Sequence, residues 1–301
     1  PPPAATPSHG RGATAAATPS ARLPPRGLTA PGFVGNLARR VGTALVALPA
    51  LLVALFLGPP WLVVGIVAVA LAVGLFEFFG LLRARGLRPM QRIGFLVAAA
   101  LFVEVTWPGF FPVTILPLVA MVVLAFALSR GADFESVSAA AATMLGAVYL
   151  GALGGTIAAL RLISPGDQGA WRLLLLLVIV IFSDSFAFFV GHAVGRRRLA
   201  PSVSPGKSVE GAIGGVVGGV LGALLVRQLG LGEMSLWHAV ALGAVVAAMG
   251  IVGDLDESLL KRWAGVKDSG TLFPGHGGML DRLDSLLFGA AVLYYYFLTV
   301  R

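Results

Sequence analysis

From Val41 to the end of the chain, apolar residues arrive in long runs separated by short polar or Gly- and Pro-containing breaks. A helix that crosses a bilayer needs roughly 20 apolar residues, within a range of about 17 to 25. Runs that meet or approach this length fall at about 41–58, 61–82, 93–107, 112–129, 136–160, 171–190, 211–227, 236–253 and 285–300. Over such lengths in hydrocarbon, a helix is the structure that satisfies its own peptide groups. The pattern predicts an all-α, polytopic integral membrane protein with about nine transmembrane helices. The third run is short, and Pro112 and Pro117 predict a tilt or kink in the fourth.

Residues 1–33 are of another kind. They hold eight of the 19 prolines, many Ala, Ser and Thr, several Arg and no acid. Such a segment cannot bury enough surface to fold, which predicts a disordered, basic, Pro/Ala-rich tail. It lacks the apolar core of a secretory signal. The expected division is a tail over 1–33 and a transmembrane domain over 34–301.

Composition sharpens this picture. The mean hydropathy is +0.90, and only 12% of the 301 residues are charged. A soluble domain carries about 25%, so a water-soluble enzyme is excluded. The 40 glycines suit close helix packing in a bilayer, and the lack of Cys removes disulfides and thiolate metal sites. The net charge of +8 points to loops facing anionic lipid. No basic stripe with interleaved aromatics is present, which argues against nucleic acid as a partner. With the N-terminus in the cytoplasm, nine spans leave Arg161, Arg172, Arg227 and Arg301 outside and put the other 18 of the 22 Lys and Arg inside. That split supports a multi-pass protein of the cell (plasma) membrane, with its N-terminus and active site cytoplasmic.

In this threading the longest cytosolic segments are about 191–210 and 254–284. The second holds Asp254, Asp256, Glu257, Asp268, Asp281 and Asp284, six of the 14 acids. If the eighth helix continues beyond the membrane, Asp254, Glu257, Ser258 and Lys261 share one face. Asp281, Asp284 and Ser285 share a face of the next helix. This arrangement is open to two readings: an oxygen-rich site for a hard cation such as Mg²⁺, or ordinary helix-face salt bridges to Lys261 or Arg282. The stretch between, from Lys267 and Asp268 to His276, Gly277 and Gly278, is Gly-rich and leads into a helix N-terminus, a setting that favours anions. His276 is open as metal ligand, phosphate donor, general acid or bystander. Ser204, Lys207 and Ser208 form a turn before the seventh helix, either a phosphate contact or a plain turn with an N-cap. Asp184 lies in an apolar run, where an ionisable group is costly and marks function by default; Glu77 invites the same argument more weakly.

These residues resemble the phosphatidate cytidylyltransferases, also called CDP-diacylglycerol synthases. That family's signature is filled by Ser258, Lys261, Arg262, Lys267, Asp268, Pro274, His276, Gly277, Gly278, Asp281, Arg282 and Asp284. The Ser204–Gly211 segment and Asp184 resemble further family elements, with Gly206 standing where a basic residue is usual. The resemblance covers the C-terminal half well and the first half mainly by hydropathy and Glu77. It implies transfer of CMP from CTP to phosphatidic acid, giving CDP-diacylglycerol and pyrophosphate. It further implies Asp254 and Asp281 as metal ligands for Mg²⁺, a second cation of monovalent type, membrane lipids as surroundings and a homodimer. Catalytic roles are expected for Asp254, Lys267, Asp268, His276, Asp281, Arg282 and Asp284. Substrate-binding roles are expected for Ser204, Lys207, Ser208, Lys261, Arg262, Gly277, Gly278 and Asp184. A CTP-dependent lipid kinase and a lipid transporter are the competing readings. The first fits the signature less well, and the second leaves the carboxylate and His-Gly-Gly cluster unexplained.

Overall fold

The computed structural model describes residues 49–270 and 277–300. The tail and His276 lie outside the described residues, as does the start of the first apolar run, which is helical over 49–56. The remaining runs become helices with bounds close to those expected: α1 Pro60–Ala84, α2 Gln91–Thr106, α3 Leu116–Leu128, α4 Phe134–Gly146, α5 Gly154–Leu162, α6 Asp167–Val194, α7 Val209–Gly230, α8 Leu236–Ala264 and α9 Leu280–Thr299. Among the described residues, five helical segments are long and apolar enough to cross a membrane: α1, α4 through α5, α6, α7 and α8. The chain is an all-α membrane protein in architecture.

Local chemistry sets the helix ends. Pro60 opens α1, where a missing N–H costs nothing. Pro117 occupies the first turn of α3, so the proline-rich stretch marks the start of the helix rather than a kink within it. Asp133 caps α4 by accepting from Ser136 N at 2.7 Å. α4 and α5 form one continuous segment through a π-helical turn, Ala147–Leu153. Gly265 ends α8 in the left-handed conformation, φ 77°.

The core is a set of interlocked apolar faces from α1, α2, α4–α5, α6, α8 and α9, with Phe78, Phe79, Leu176, Ile179, Leu287 and Leu293 fully buried. α7 packs between α6 and α8 through glycines. A Cβ at Gly218 would lie 2.6 Å from the Phe182 carbonyl oxygen, and one at Gly219 would lie 2.5 Å from the Ala247 Cβ. Only residues without a side chain allow that approach, the device by which membrane helices gain dispersion contact without a hydrophobic driving force.

A short antiparallel hairpin lies between α6 and α7: β1 Arg198–Ala200 and β2 Ser204–Ser208. The hydropathy pattern gave only a turn here. Pairing of Arg198 with Ser208 and of Ala200 with Ser204 stiffens that turn beside the end of α8.

Candidate active site at the polar helix ends

Four elements converge on one polar cluster: β2, the C-terminal part of α8, the loop after it and the first turns of α9. The helix that begins in the apolar run 236–253 does continue, to Ala264. Its extension carries Asp254, Glu257 and Lys261 on one face. α8 and α9 come very close here: a Cβ at Gly253 would lie 2.4 Å from the Asp284 carbonyl oxygen. The residue following Gly253 is therefore held beside the start of α9.

Lys207, half-buried on β2, reaches across to pair with Asp254 Oδ2. Lys261 Nζ bridges two carboxylates, Glu257 Oε2 at 2.7 Å and Asp281 Oδ1 at 2.5 Å. Glu257 has 0% exposure, and its Oε1 has no hydrogen-bond partner among the described residues. Asp284 is 8% exposed, with Oδ1 accepting from Ser285 N. Asp184, on α6, is exposed and lies within electrostatic reach of Asp254, Lys207 and Arg282. The salt-bridge reading of the helix face is realised in part: Glu257 and Lys261 form the i,i+4 pair, whereas Asp254 takes its cation from the hairpin.

Asp281 stands ahead of the apolar stretch of α9. Burial works against its charge, but the Lys261 ammonium and the amides of Gly278 and Ser269 outweigh it and hold the carboxyl down at about 2. Its Oδ2 accepts from Gly278 N at 2.7 Å, Ser269 N at 3.1 Å and Ser269 Oγ at 2.9 Å. The glycines of the motif are needed by the fold itself. Gly277 has φ 79°, and a Cβ there would lie 2.5 Å from Asp281 Oδ2. Gly278, for which a substrate-binding role was expected, donates its amide to Asp281.

The remaining expected residues take varied positions. Ser208 Oγ caps α7, accepting from Gly211 N at 3.1 Å, so it acts as the N-cap of that turn. Ser204 begins β2 at the rim, Arg262 Nε donates to the Val203 carbonyl at 3.3 Å, and Arg282 is exposed at the first turn of α9. Lys267 and Asp268 are exposed on the loop and make no hydrogen bond or ion pair among the described residues. The sequence reading assigned no role to Ser269 and left Glu77 in the background; a lone carboxylate in an apolar run was the available signal.

Carboxylate oxygens are the kind of donor that a hard cation takes. Asp254, Glu257 and Asp281 pair with Lys207 or Lys261, Asp184 and Asp284 lie within electrostatic reach of these cations, and Glu257 Oε1 is left without a partner among the described residues. Among the described residues, no three acidic or His side chains gather closely enough to hold a metal by themselves. Asp254 and Asp281 each carry a lysine ammonium instead.

A model of the cytidylyltransferase family matches residues 38–300. Among curated proteins, the chain is similar to phosphatidate cytidylyltransferase 5, chloroplastic, of Arabidopsis thaliana, with 33% identity over 264 residues, covering 78% of this chain and 65% of the relative. Phosphatidate cytidylyltransferase of Synechocystis sp. is 31% identical over 286 residues, covering 86% of this chain and 95% of the relative. The Thermotoga maritima phosphatidate cytidylyltransferase is 44% identical over 136 residues, covering 44% of this chain and 50% of the relative. The chain spans just under two thirds of the length of the Arabidopsis relative.

Proposed function

The chain belongs to the cytidylyltransferase family, and from that premise we propose that it transfers CMP from CTP to phosphatidate. A phosphate oxygen of the lipid attacks the α-phosphorus of CTP; the new P–O bond forms as the bond to the β-phosphate oxygen breaks, and pyrophosphate leaves with that electron pair. The products are CDP-diacylglycerol and pyrophosphate. The observation that carries this reading is the convergence of Lys207, Lys261, Asp254 and Asp281 into one ion-paired cluster at the polar ends of apolar helices. A lipid phosphate and a cytosolic triphosphate can meet only at such a boundary.

The nucleophile is already anionic, so the site needs no strong base. The chemical difficulty is to bring two anions together and to hold charge as it moves onto the leaving group. In this reading Lys207 on the hairpin and Arg262 beside it hold the triphosphate. In this reading Lys261, between the helices, and Arg282, at the first turn of α9, hold the lipid phosphate and the reacting α-phosphate. Asp254 and Asp281 are the residues that would hold Mg²⁺, which when bound supplies electrostatic screening of the two substrates and of the departing pyrophosphate. Asp184, Glu257 and Asp284 add the negative field that retains cations in the cluster. The second, monovalent cation belongs to this reading.

The same proposal includes nine spans in all, a cytoplasmic N-terminus and active site, residence in the plasma membrane and assembly as a homodimer. The 18 cytoplasmic Lys and Arg of that threading support the orientation. The decisive experiment is incubation of purified protein with phosphatidate and CTP labelled at the α or the γ position. α-Label should enter lipid and γ-label should leave as pyrophosphate; γ-label in lipid would instead identify a CTP-dependent kinase.

A further inference from the structure

We propose that Glu77, distant in sequence but in contact with the start of α9, is a positioning residue that sets the orientation of Asp281, a role that rests on the reading of the cluster as a cytidylyl-transfer site. Glu77 is the sole acid in α1 and is 8% exposed, beside the fully buried Phe78 and Phe79. A carboxylate in that setting is costly unless its oxygens are well supplied with donors. They are, and among the described residues each of these donors lies about 200 residues away in sequence. Oε1 accepts from Met279 N at 3.0 Å; Oε2 accepts from Leu280 N at 2.9 Å and lies 3.0 Å from Ser269 Oγ.

These bonds do two things. The first is to cap α9, which has no side-chain cap of its own. A carboxylate at a helix N-terminus satisfies orphan amides and complements the helix dipole. The second concerns Asp281. Ser269 Oγ sits between Glu77 Oε2 and Asp281 Oδ2, at 3.0 and 2.9 Å. Its one proton serves one carboxylate at a time, and the Ser269 and Gly278 amides complete the hold on Oδ2. Asp281 Oδ2 is thereby tied to the loop, and Oδ1 is left facing Lys261 and the cluster.

The backbone is shaped around this carboxylate. A Cβ at Gly270 would lie 2.3 Å from Glu77 Oε1, and one at Gly278 would lie 2.3 Å from both Glu77 Oε2 and Ser269 Oγ. A Ser, Thr or Asp at position 279 would cap α9 locally without burying a charge in α1. Only the remote carboxylate also reaches Ser269, and through it Asp281.

The test uses the full chain, purified in lipid–detergent micelles, as wild type, Glu77→Gln, Ser269→Ala and the double variant. Gln keeps the size of the side chain but replaces one acceptor oxygen with a donor. Supporting partners of this kind change metal affinity or activity by about 10- to 100-fold. The expected result for Glu77→Gln is a fall of that order in kcat, a rise in the Mg²⁺ concentration for half-maximal rate and an unmoved KM for phosphatidate. Ser269→Ala should shift the Mg²⁺ dependence in the same direction, and the double variant should be no worse than Glu77→Gln alone. Hydrogen exchange should show lost protection confined to the amides of Ser269 and Gly278 to Leu280. Unchanged Mg²⁺ dependence in a folded Glu77→Gln protein would overturn the proposal, as would multiplicative losses in the double variant. If Glu77→Gln does not fold, Ser269→Ala decides alone by the same criterion. A wild-type protein inactive on CTP and phosphatidate would refute the function, while the exchange measurement would still decide the clamp.

Discussion

Asp281 divides its two oxygens between two tasks, one tied to the loop amides and one turned to Lys261. Replacing it with Asn keeps the shape but puts a donor where either the amides or the ammonium require an acceptor, and it removes a negative ligand for a hard cation. Asp281→Asn should therefore abolish transfer without unfolding the protein. A purified variant retaining more than half the wild-type rate at limiting Mg²⁺ would remove Asp281 from the site. Lys207 is the second residue with a separable role. It approaches from the hairpin, on the side of Val203 and Arg262, while Lys261 lies deeper between the helices. A charge-assisted hydrogen bond is worth about 1.5 to 3 kcal/mol, which corresponds to about 10- to 150-fold in affinity. Lys207→Ala should raise the KM for CTP by that order and leave the KM for phosphatidate nearly unmoved. Steady-state kinetics with each substrate varied in turn checks it, and a loss confined to the lipid would reassign the hairpin to the phosphatidate headgroup.

At the scale of elements, α7 is the part least able to change. Its glycines face α6 on one side and α8 on the other, and α8 carries Asp254 and Lys261 into the cluster. Gly219→Val would drive a branched side chain into the Ala247 methyl and the Gly243 carbonyl. Overpacking of this kind costs about 1 to 3 kcal/mol, so the variant should melt at lower temperature in detergent. Gly206→Ala is the control: a Cβ there meets nothing within 4 Å, and its melting temperature should match wild type. Helix positions were legible in the sequence because apolar runs in a bilayer leave the chain no other hydrogen-bonded conformation. The β1–β2 hairpin was not. Its strands are three and five residues long, too short for any periodicity, and their pairing is fixed by contacts with the ends of α7 and α8.

For the whole molecule, the side of the membrane on which the cluster sits can be tested directly, because the chain has no Cys. Gly206→Cys places a thiol on the hairpin and Gly232→Cys places one on the loop between α7 and α8. Both positions are exposed and have open space for a side chain. In intact cells a membrane-impermeant maleimide should label the Gly232→Cys protein, and it should label the Gly206→Cys protein only after permeabilisation. The reverse pattern would invert the threading and place the cluster where CTP is absent.

The all-α membrane class, the approximate positions of the helices and the shared face of Asp254, Glu257 and Lys261 were legible in the sequence alone. Hydropathy dictates helices, the Lys and Arg distribution points to an orientation, and carboxylates at helix spacing fall on one face whatever the helix packs against. The tertiary structure decided which charge meets which. Lys207 rather than Lys261 pairs with Asp254, Ser208 caps a helix, and the Gly278 amide goes to Asp281. Above all, the structure placed Glu77 against the loop that carries Asp281. Pairings across some 200 residues depend on how α1 and α9 pack together, and no local pattern in the chain encodes that distance.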